Sequence, residues 1–346
     1  MHNYLCVLTC FLFCVAYDAA ASDRLPQNLF RDVSTLEVAL EGPLSSLVRN
    51  RRSEPELPFK LRYQEADGRK ADIDILVKPR GNSRLRNCRF PPLRIDFGNT
   101  DLSGTVFEGQ NKLKLVSHCA SMRSNRDYIA REYQIYRAYN LVTDYSFRVR
   151  WLAIEYIDTE SNGRRITEPG FLIEEDWAAA ARLGMEVLET ASLEVSELDS
   201  GETALMTLFQ FMVGNIDWSA LKGEPGEICC HNFKVLSHPG QLNTRLLLPY
   251  DFDQSGFVAA KYAIHNESLG IKPMDRMYKG YCGMNDQISY AISRLEDAKQ
   301  NWLGLVDDAP VSKSARKHGI KYIERSFEFI ENIEKRERHI LARCRE

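Results

Sequence analysis

Four polar side chains in the second half of the chain have the types and spacing that suit a divalent cation beside a phosphate ester. Asp217 follows an apolar helical segment, Asn232 precedes a short apolar run, and Asp251 and Asp253 follow a second apolar run. The two runs predict the strands of one hairpin, whose open end would collect the three carboxylates and the amide. Such hard oxygen ligands are those that Mg²⁺ prefers.

Phosphoryl transfer also needs a carboxylate that orients the acceptor hydroxyl and accepts its proton. We therefore expect Asp217 to be the base, while Asp251, Asp253 and Asn232 hold Mg²⁺ or Mn²⁺. Each of these residues taken alone is explained by a helix cap or a turn, but the ordered set favours a site for a metal and a phosphate. A glycan hydrolase that uses Asp217 and Asp251 as paired carboxylates is an alternative. The sequence contains no G-x-S-x-G, H-E-x-x-H or P-loop motif.

Alternating patterns dominate the segments before this site. Residues 22–60 are a polar lead-in with short apolar runs, and Asp67-Gly68 separates two alternating segments, which predicts a hairpin. Segments 93–97 and 112–116 alternate again. A helix capped by Ser124 or Asn125 should follow, and then strands at 148–157 and 170–174. This half is expected to be an antiparallel sheet with one helix.

Helical periodicity takes over after residue 175. It predicts helices at 177–188, 201–213, 287–305 and 315–344, with a β-hairpin at 233–236 and 245–248. The interpretation is an α+β, two-lobed fold with a β-rich lobe at 22–174 and a mainly helical lobe at 175–346. A cleft between two such lobes is a common place for a ligand.

The N-terminus and the overall charge limit where the protein acts. Residues 5–17 are apolar and lead into a small-residue run near Ala21, which predicts a signal peptide at 1–21 and a secreted or periplasmic protein. The missing basic residue before the apolar run keeps an uncleaved anchor as an alternative. The formal charge of −3 does not favour a nucleic-acid partner. No later segment predicts a membrane span.

Six cysteines remain after the predicted cleavage, an even number that suits disulfides in an oxidising compartment. Cys88 is expected to pair with Cys119, since both flank strands of one sheet. Cys282 is expected to pair with Cys344 or with one of the adjacent cysteines at 229–230. Zinc bound by this adjacent pair and His231 is a weaker alternative, because adjacent cysteines chelate poorly.

Six short motifs occur in the order found in a family of kinase-like proteins. They are 80–83 (RGNS), 93–97 (LRIDF), 111–115 (NKLKL), 170–174 (GFLIE), 214–218 (GNIDW) and 249–253 (PYDFD). From about residue 75 to 257 the chain resembles the kinase-like family of the spore-coat kinase CotH and, more distantly, HipA and the lipid-kinase-like branch.

The resemblance implies further roles. It makes Asp217 the catalytic-loop aspartate, Asn232 the catalytic-loop asparagine, and Asp251 the metal-binding residue with Asp253 as alternate or second ligand. It implies ATP as the nucleotide, with Arg80 and either Lys112 or Lys114 on its phosphates. Glu132 would be the ion-pair partner of that lysine, and Glu174 would lie beside the adenine. The acceptor would be a hydroxyl, for example of a protein. The rival expectation is a non-catalytic member, a secreted binding or assembly protein.

Overall fold

The structure is a computed structural model that describes residues 28–65, 67–241, 244–263 and 275–346. The predicted signal peptide at 1–21, with its cleavage site near Ala21, lies outside the described residues.

Ten strands and nine α-helices are found in the described residues. The strands are β1 (Leu36–Gly42), β2 (Leu57–Gln64), β3 (Lys70–Pro79), β4 (Leu93–Asp96), β5 (Lys112–Val116), β6 (Val149–Asp158), β7 (Arg164–Ile173), β8 (Glu186–Leu188), β9 (Phe233–Ser237) and β10 (Arg245–Pro249). The helices are α1 (Asn28–Arg31), α2 (Leu44–Arg49), α3 (Ser83–Asn87), α4 (Arg123–Val142), α5 (Asp176–Arg182), α6 (Ser200–Val213), α7 (Ile288–Asp307), α8 (Lys313–Glu331) and α9 (Ile333–His339).

Seven strands close into a barrel in the order β1-β2-β3-β4-β5-β7-β6. Most neighbours are antiparallel, as in the hairpin β2–β3, where Leu57 pairs with Val77. The barrel closes through a parallel pairing of β1 with β6, which runs from Leu36 opposite Leu152 to Gly42 opposite Asp158. The barrel is therefore mixed rather than antiparallel.

This closed, mixed barrel contradicts the predicted two-lobed, protein-kinase-like fold with an antiparallel sheet and one helix in its first half. The reason lies in segment 36–42, which the sequence interpretation assigned to a polar lead-in. Its residues alternate between buried and more exposed positions, and it forms β1, the strand that joins β2 to β6. The alternation of Leu36, Val38 and Leu40 was therefore a strand signal that the interpretation missed, and the partner strand β6, which begins only at Val149, gives no local sign of the pairing.

Alternation also explains the barrel interior. Because successive strand side chains point to opposite faces, every second residue enters the core. Leu61 is 1% exposed, whereas its neighbour Lys60 lies on the outer face and pairs with Asp72 and Asp74. The interior forms an apolar cluster to which β1, β2, β3, β4, β5 and β6 all contribute.

A second apolar cluster joins α4 to the helices and strands that follow residue 175. It includes Tyr136 and Tyr139 of α4, Phe209 of α6 and Trp302 of α7, and the rings of Phe209 and Trp302 stack at 5.1 Å between centroids. Helix α4 thus packs on the second half of the chain although it follows the strands of the first half. Beside these helices lies a three-stranded sheet in the order β10-β9-β8.

Two predicted helices are shorter than expected. The helix predicted at 177–188 ends at Arg182, and Gly184 in the left-handed region (φ 66°) turns the chain into β8. The helix predicted at 315–344 divides at Asn332, whose side chain caps α9 by accepting from the Lys335 amide. The hairpin predicted around residues 233–248 is present as β9 and β10.

Three disulfides are present in the described residues. Cys88 pairs with Cys119 as expected, and Cys282 pairs with Cys344, one of the two partners proposed for it. Cys229 pairs with its neighbour Cys230. Disulfides of this kind persist in oxidising compartments, so the cysteines agree with an extracellular location. Among the helices of the described residues, none combines the length and the apolar composition that a membrane span requires.

Candidate functional site

A polar cavity of about 310 Å³ lies where the end of β5, the segment around α3, helix α4 and the open end of the β9–β10 hairpin meet. Seven of the nine predicted site residues line it. These are Arg80, Lys114, Glu132, Asp217, Asn232, Asp251 and Asp253. The fold that brings them together was not expected, but their convergence in one cavity was.

Asp217 lies on the loop that follows α6. The helix ends at Gly214, which has a left-handed backbone (φ 66°) and so releases the chain from the helical path. The Asp217 side chain is 44% exposed, and its Oδ1 lies 3.1 Å from His231 Nε2. Asn232 Nδ2 donates to the Asp217 carbonyl oxygen at 2.6 Å and lies 3.3 Å from Oδ2. The carboxylate is therefore oriented by two neighbours and reaches solvent.

Asn232 and Asp251 lie together because the hairpin register places them at the same end. Phe233 pairs with Pro249, and the Tyr250 amide donates to the Asn232 carbonyl at 3.0 Å. Both residues have left-handed backbones, with φ of 60° at Asn232 and 61° at Asp251. Such conformations are uncommon outside glycine and concentrate at functional sites. The Asp251 amide donates to the buried Tyr136 hydroxyl at 2.9 Å, which holds this turn against α4.

A buried charge cluster lies behind these residues. Arg84 Nη1 donates to Glu132 Oε2 at 3.1 Å and Nη2 donates to the Ser117 carbonyl at 3.0 Å, while Arg84 Nε lies 3.8 Å from Asp253 Oδ2. Burial raises the pKa of Glu132 to about 7. Burial and the nearby Asp251 carboxylate raise the pKa of Asp253 well above its usual range, and burial also raises the pKa of Asp251. The single positive charge of Arg84 therefore does not neutralise the three carboxyl groups of Glu132, Asp251 and Asp253.

The predicted lysine–Glu132 ion pair is replaced by other pairs. Lys114 Nζ lies 3.7 Å from Glu175 Oε2, and Glu132 pairs with Arg84 instead. The reason is geometric, because α3 inserts the Arg84 guanidinium between α4 and the end of the hairpin. Burial lowers the pKa of Lys114, which faces the cavity.

Two predicted site residues lie away from the cavity. Lys112 pairs at 2.8 Å with Asp96 across the β4–β5 ladder, with its side chain 46% exposed. Glu174 is buried and binds Arg182 at 2.9 Å. Both residues form ion pairs within the fold, which is consistent with a structural role.

Arg80 is placed at the cavity by the turn after β3. Its amide donates to the Pro92 carbonyl at 2.9 Å, and the following Gly81 has φ of 94°, a conformation that suits glycine. The Arg80 charge lowers the pKa of both Asp251 and Glu132, against the larger effect of burial. Arg80 therefore faces the acidic residues.

Two lining residues that were not predicted site residues, Arg84 and His231, contact residues that were. Arg84 is buried, and its guanidinium donates to Glu132 of α4 and to the Ser117 carbonyl, contacts that the sequence did not reveal. His231 was considered only as a zinc ligand, whereas it binds Asp217. That hydrogen bond raises the pKa of His231. Its position next to Asn232 was the available signal. The zinc alternative loses its ligands, because Cys229 and Cys230 are bonded to each other.

The donor set also limits what kind of cation could bind. In the described residues, no group of three or more His, Cys, Asp and Glu side chains is arranged to hold a metal by itself. Two aspartates and an asparagine suit a cation that keeps waters and phosphate oxygens in its shell, which is the habit of Mg²⁺.

Comparison of the sequence with models of protein families and with curated proteins finds no match.

Proposed function

We propose that this protein is an exported phosphotransferase that binds ATP with Mg²⁺ or Mn²⁺ in the polar cavity. It transfers a phosphoryl or nucleotidyl group to a hydroxyl of a protein or another acceptor. The observation that carries the proposal is the shared cavity of Asp217, Asn232, Asp251 and Asp253 with three cations, Arg80, Arg84 and Lys114. The proposal rests on this site and not on a kinase-like architecture.

The charges of the cavity support a divalent cation. Six carboxylates line the cavity against three arginine and lysine side chains. Burial raises the pKa of Asp251 and of Asp253, so a nearby positive charge would favour their ionised forms. A divalent cation would supply that charge and would neutralise phosphate oxygens. Asn232 uses Nδ2 to bind Asp217, so that its other amide atom, Oδ1, is the one that would ligate the cation.

The remaining residues divide between binding phosphate and accepting a proton. Arg80 and Lys114 can donate to phosphate oxygens, because both are cationic side chains that line the cavity. Asp217, partly exposed and oriented by His231 and Asn232, is placed to accept the proton of an acceptor hydroxyl. His231 holds the carboxylate in this orientation. The disulfides agree with a reaction outside the cytoplasm.

Titration calorimetry with Mg–ATP tests the binding step. We expect metal-dependent binding by the wild type, with binding abolished in Asp251→Ala and unchanged in the control Asp307→Asn, whose side chain is exposed on α7. The same titration without divalent cation should give little heat. Absence of binding with and without metal would favour the rival function, a non-catalytic secreted binding or assembly protein.

A further inference from the structure

Three consecutive backbone carbonyls around Asp217 are bound by side chains from other parts of the chain. Lys279 Nζ donates to the Ile216 carbonyl at 2.8 Å and also donates to the Trp218 carbonyl. Asn232 Nδ2 donates to the carbonyl between them, that of Asp217 itself. The loop is thus held on both sides of the residue that carries the carboxylate.

Lys279 is buried, with only 8% of its surface exposed. Its ammonium also lies over the Trp218 ring, 4.3 Å from the centroid, and the Trp218 indole donates to the Asn215 carbonyl at 3.0 Å. A buried ammonium is costly unless it is compensated. Here two carbonyls and an aromatic face compensate it, and all three belong to the Asp217 loop.

The lysine is itself anchored by a neighbouring segment. The Arg345 amide donates to the Gly280 carbonyl at 2.8 Å, and the Cys282 amide donates to the Arg345 carbonyl at 2.8 Å. The Cys282–Cys344 disulfide closes this pairing. The backbone next to Lys279 is therefore held in place by these hydrogen bonds and by the disulfide.

We propose that Lys279 is a positioning residue that orients the Asp217 carboxylate by binding the carbonyls on either side of it. This inference rests on the proposed function, because it assigns Lys279 to the base of that reaction. Lys279 is not among the residues that line the cavity, so its removal should affect the chemical step more than nucleotide binding.

Steady-state kinetics of Lys279→Met test the proposal. We expect kcat to fall about 10- to 100-fold, the loss that follows a small misplacement of a catalytic group, while KM for Mg–ATP stays within about twofold, as expected for lost transition-state stabilisation. Lys279→Arg keeps the charge and the donors and should recover most of kcat. Lys317→Met, at an exposed position on α8, is the matched control. Unchanged kcat in a folded Lys279→Met protein would overturn the proposal.

The dependence of kcat on pH distinguishes a role of the Lys279 charge in positioning the loop from a role of the side chain in packing alone. Burial, together with the charge of Arg345 and against that of Asp217, lowers the pKa of Lys279 to about 7. Loss of the ammonium above that pH should lower kcat in the wild type. In Lys279→Arg this decline should move to higher pH, since arginine stays charged. A decline at the same pH in both proteins would contradict the assignment.

Hydrogen exchange gives a readout that needs no activity. In Lys279→Met, and in Lys279→Gln if the first variant does not fold, amides of segment 214–219 should exchange at least about tenfold faster than in the wild type, with β9 unchanged. Wild-type rates in segment 214–219 would reject the role of Lys279. If the wild type transfers no phosphoryl group, the proposed function fails, yet this measurement still decides whether Lys279 orders the loop.

Discussion

The barrel interior and the polar cavity are lined by opposite kinds of side chain. Leu61, Leu113 and Ile154 fill the barrel with apolar contacts that need no partner of specific geometry. The cavity instead gathers Glu132, Asp253 and other acids around a few cations. Apolar burial stabilises a fold by itself, whereas burying charge costs free energy that pairing offsets only in part. The difference predicts that substitutions in the barrel act on stability, whereas substitutions in the cavity act on the proposed binding and transfer.

The largest expected effect is on phosphoryl transfer, and it distinguishes the transfer step from nucleotide binding in the cavity. Asp217→Asn should lower kcat about 10²- to 10⁴-fold, the range for loss of a general base. Nucleotide affinity should change little, because Asp217 lies outside the proposed cation ligands. Phosphoryl transfer and calorimetry on the same protein measure both quantities, with Asp307→Asn as control. Equal loss of binding and transfer would remove Asp217 from the role of base.

Breaking the buried ion pair tests how the cavity tolerates charge. Arg84→Met leaves the Glu132 and Asp253 carboxyls without their nearby cation and should lower the free energy of unfolding by about 3–5 kcal/mol. Arg62→Met on the outer face of the barrel is the matched control. Arg62 is 41% exposed, so loss of its pair with Asp72 should cost at most about 1 kcal/mol. Similar losses in urea unfolding of the two variants would refute the contrast.

A barrel substitution should alter stability without altering the site. Leu61→Ala removes a side chain that is 1% exposed and should cost about 2–5 kcal/mol. Mg–ATP affinity of the folded variant should match the wild type, because Leu61 lies in the barrel cluster and the cavity residues lie outside it. Calorimetry below the unfolding temperature measures this. A large change in affinity would show that the barrel and the cavity are coupled.

The last prediction tests the electrostatic side of the comparison through the pH dependence of stability. The pKa of Glu132 is raised from 4.5 to about 7, so between these values the folded protein holds a proton that the unfolded chain has released. Relative to Glu132→Gln, wild-type stability should therefore fall as pH rises from 4.5 to 7, by at most about 1.4 kcal/mol per pH unit. Urea unfolding at several pH values measures the difference. A difference that rises with pH would mean that Arg84 outweighs burial.

Local patterns explain which elements could be predicted. The β2–β3 hairpin follows from alternation around a turn, the β9–β10 hairpin follows from two short apolar runs, and α4, α6 and α7 follow from apolar residues at helical spacing. The Cys88–Cys119 pair followed from its flanking strands. The convergence of Asn232 and Asp251 needed only the register of one hairpin. These features depend on neighbours in sequence, where side-chain periodicity carries the information.

The sequence by itself thus determined the hairpins, the main helices and the cluster of acids at one hairpin end. Tertiary structure alone decided that β1 closes a barrel by pairing with β6. It also decided that Glu132 pairs with Arg84 instead of the predicted lysine, and that Lys279 binds the Asp217 loop. Each of these contacts joins segments more than 40 residues apart. Such pairings leave no periodic signal in the sequence, because they depend on how finished elements pack and which charges then share a buried volume.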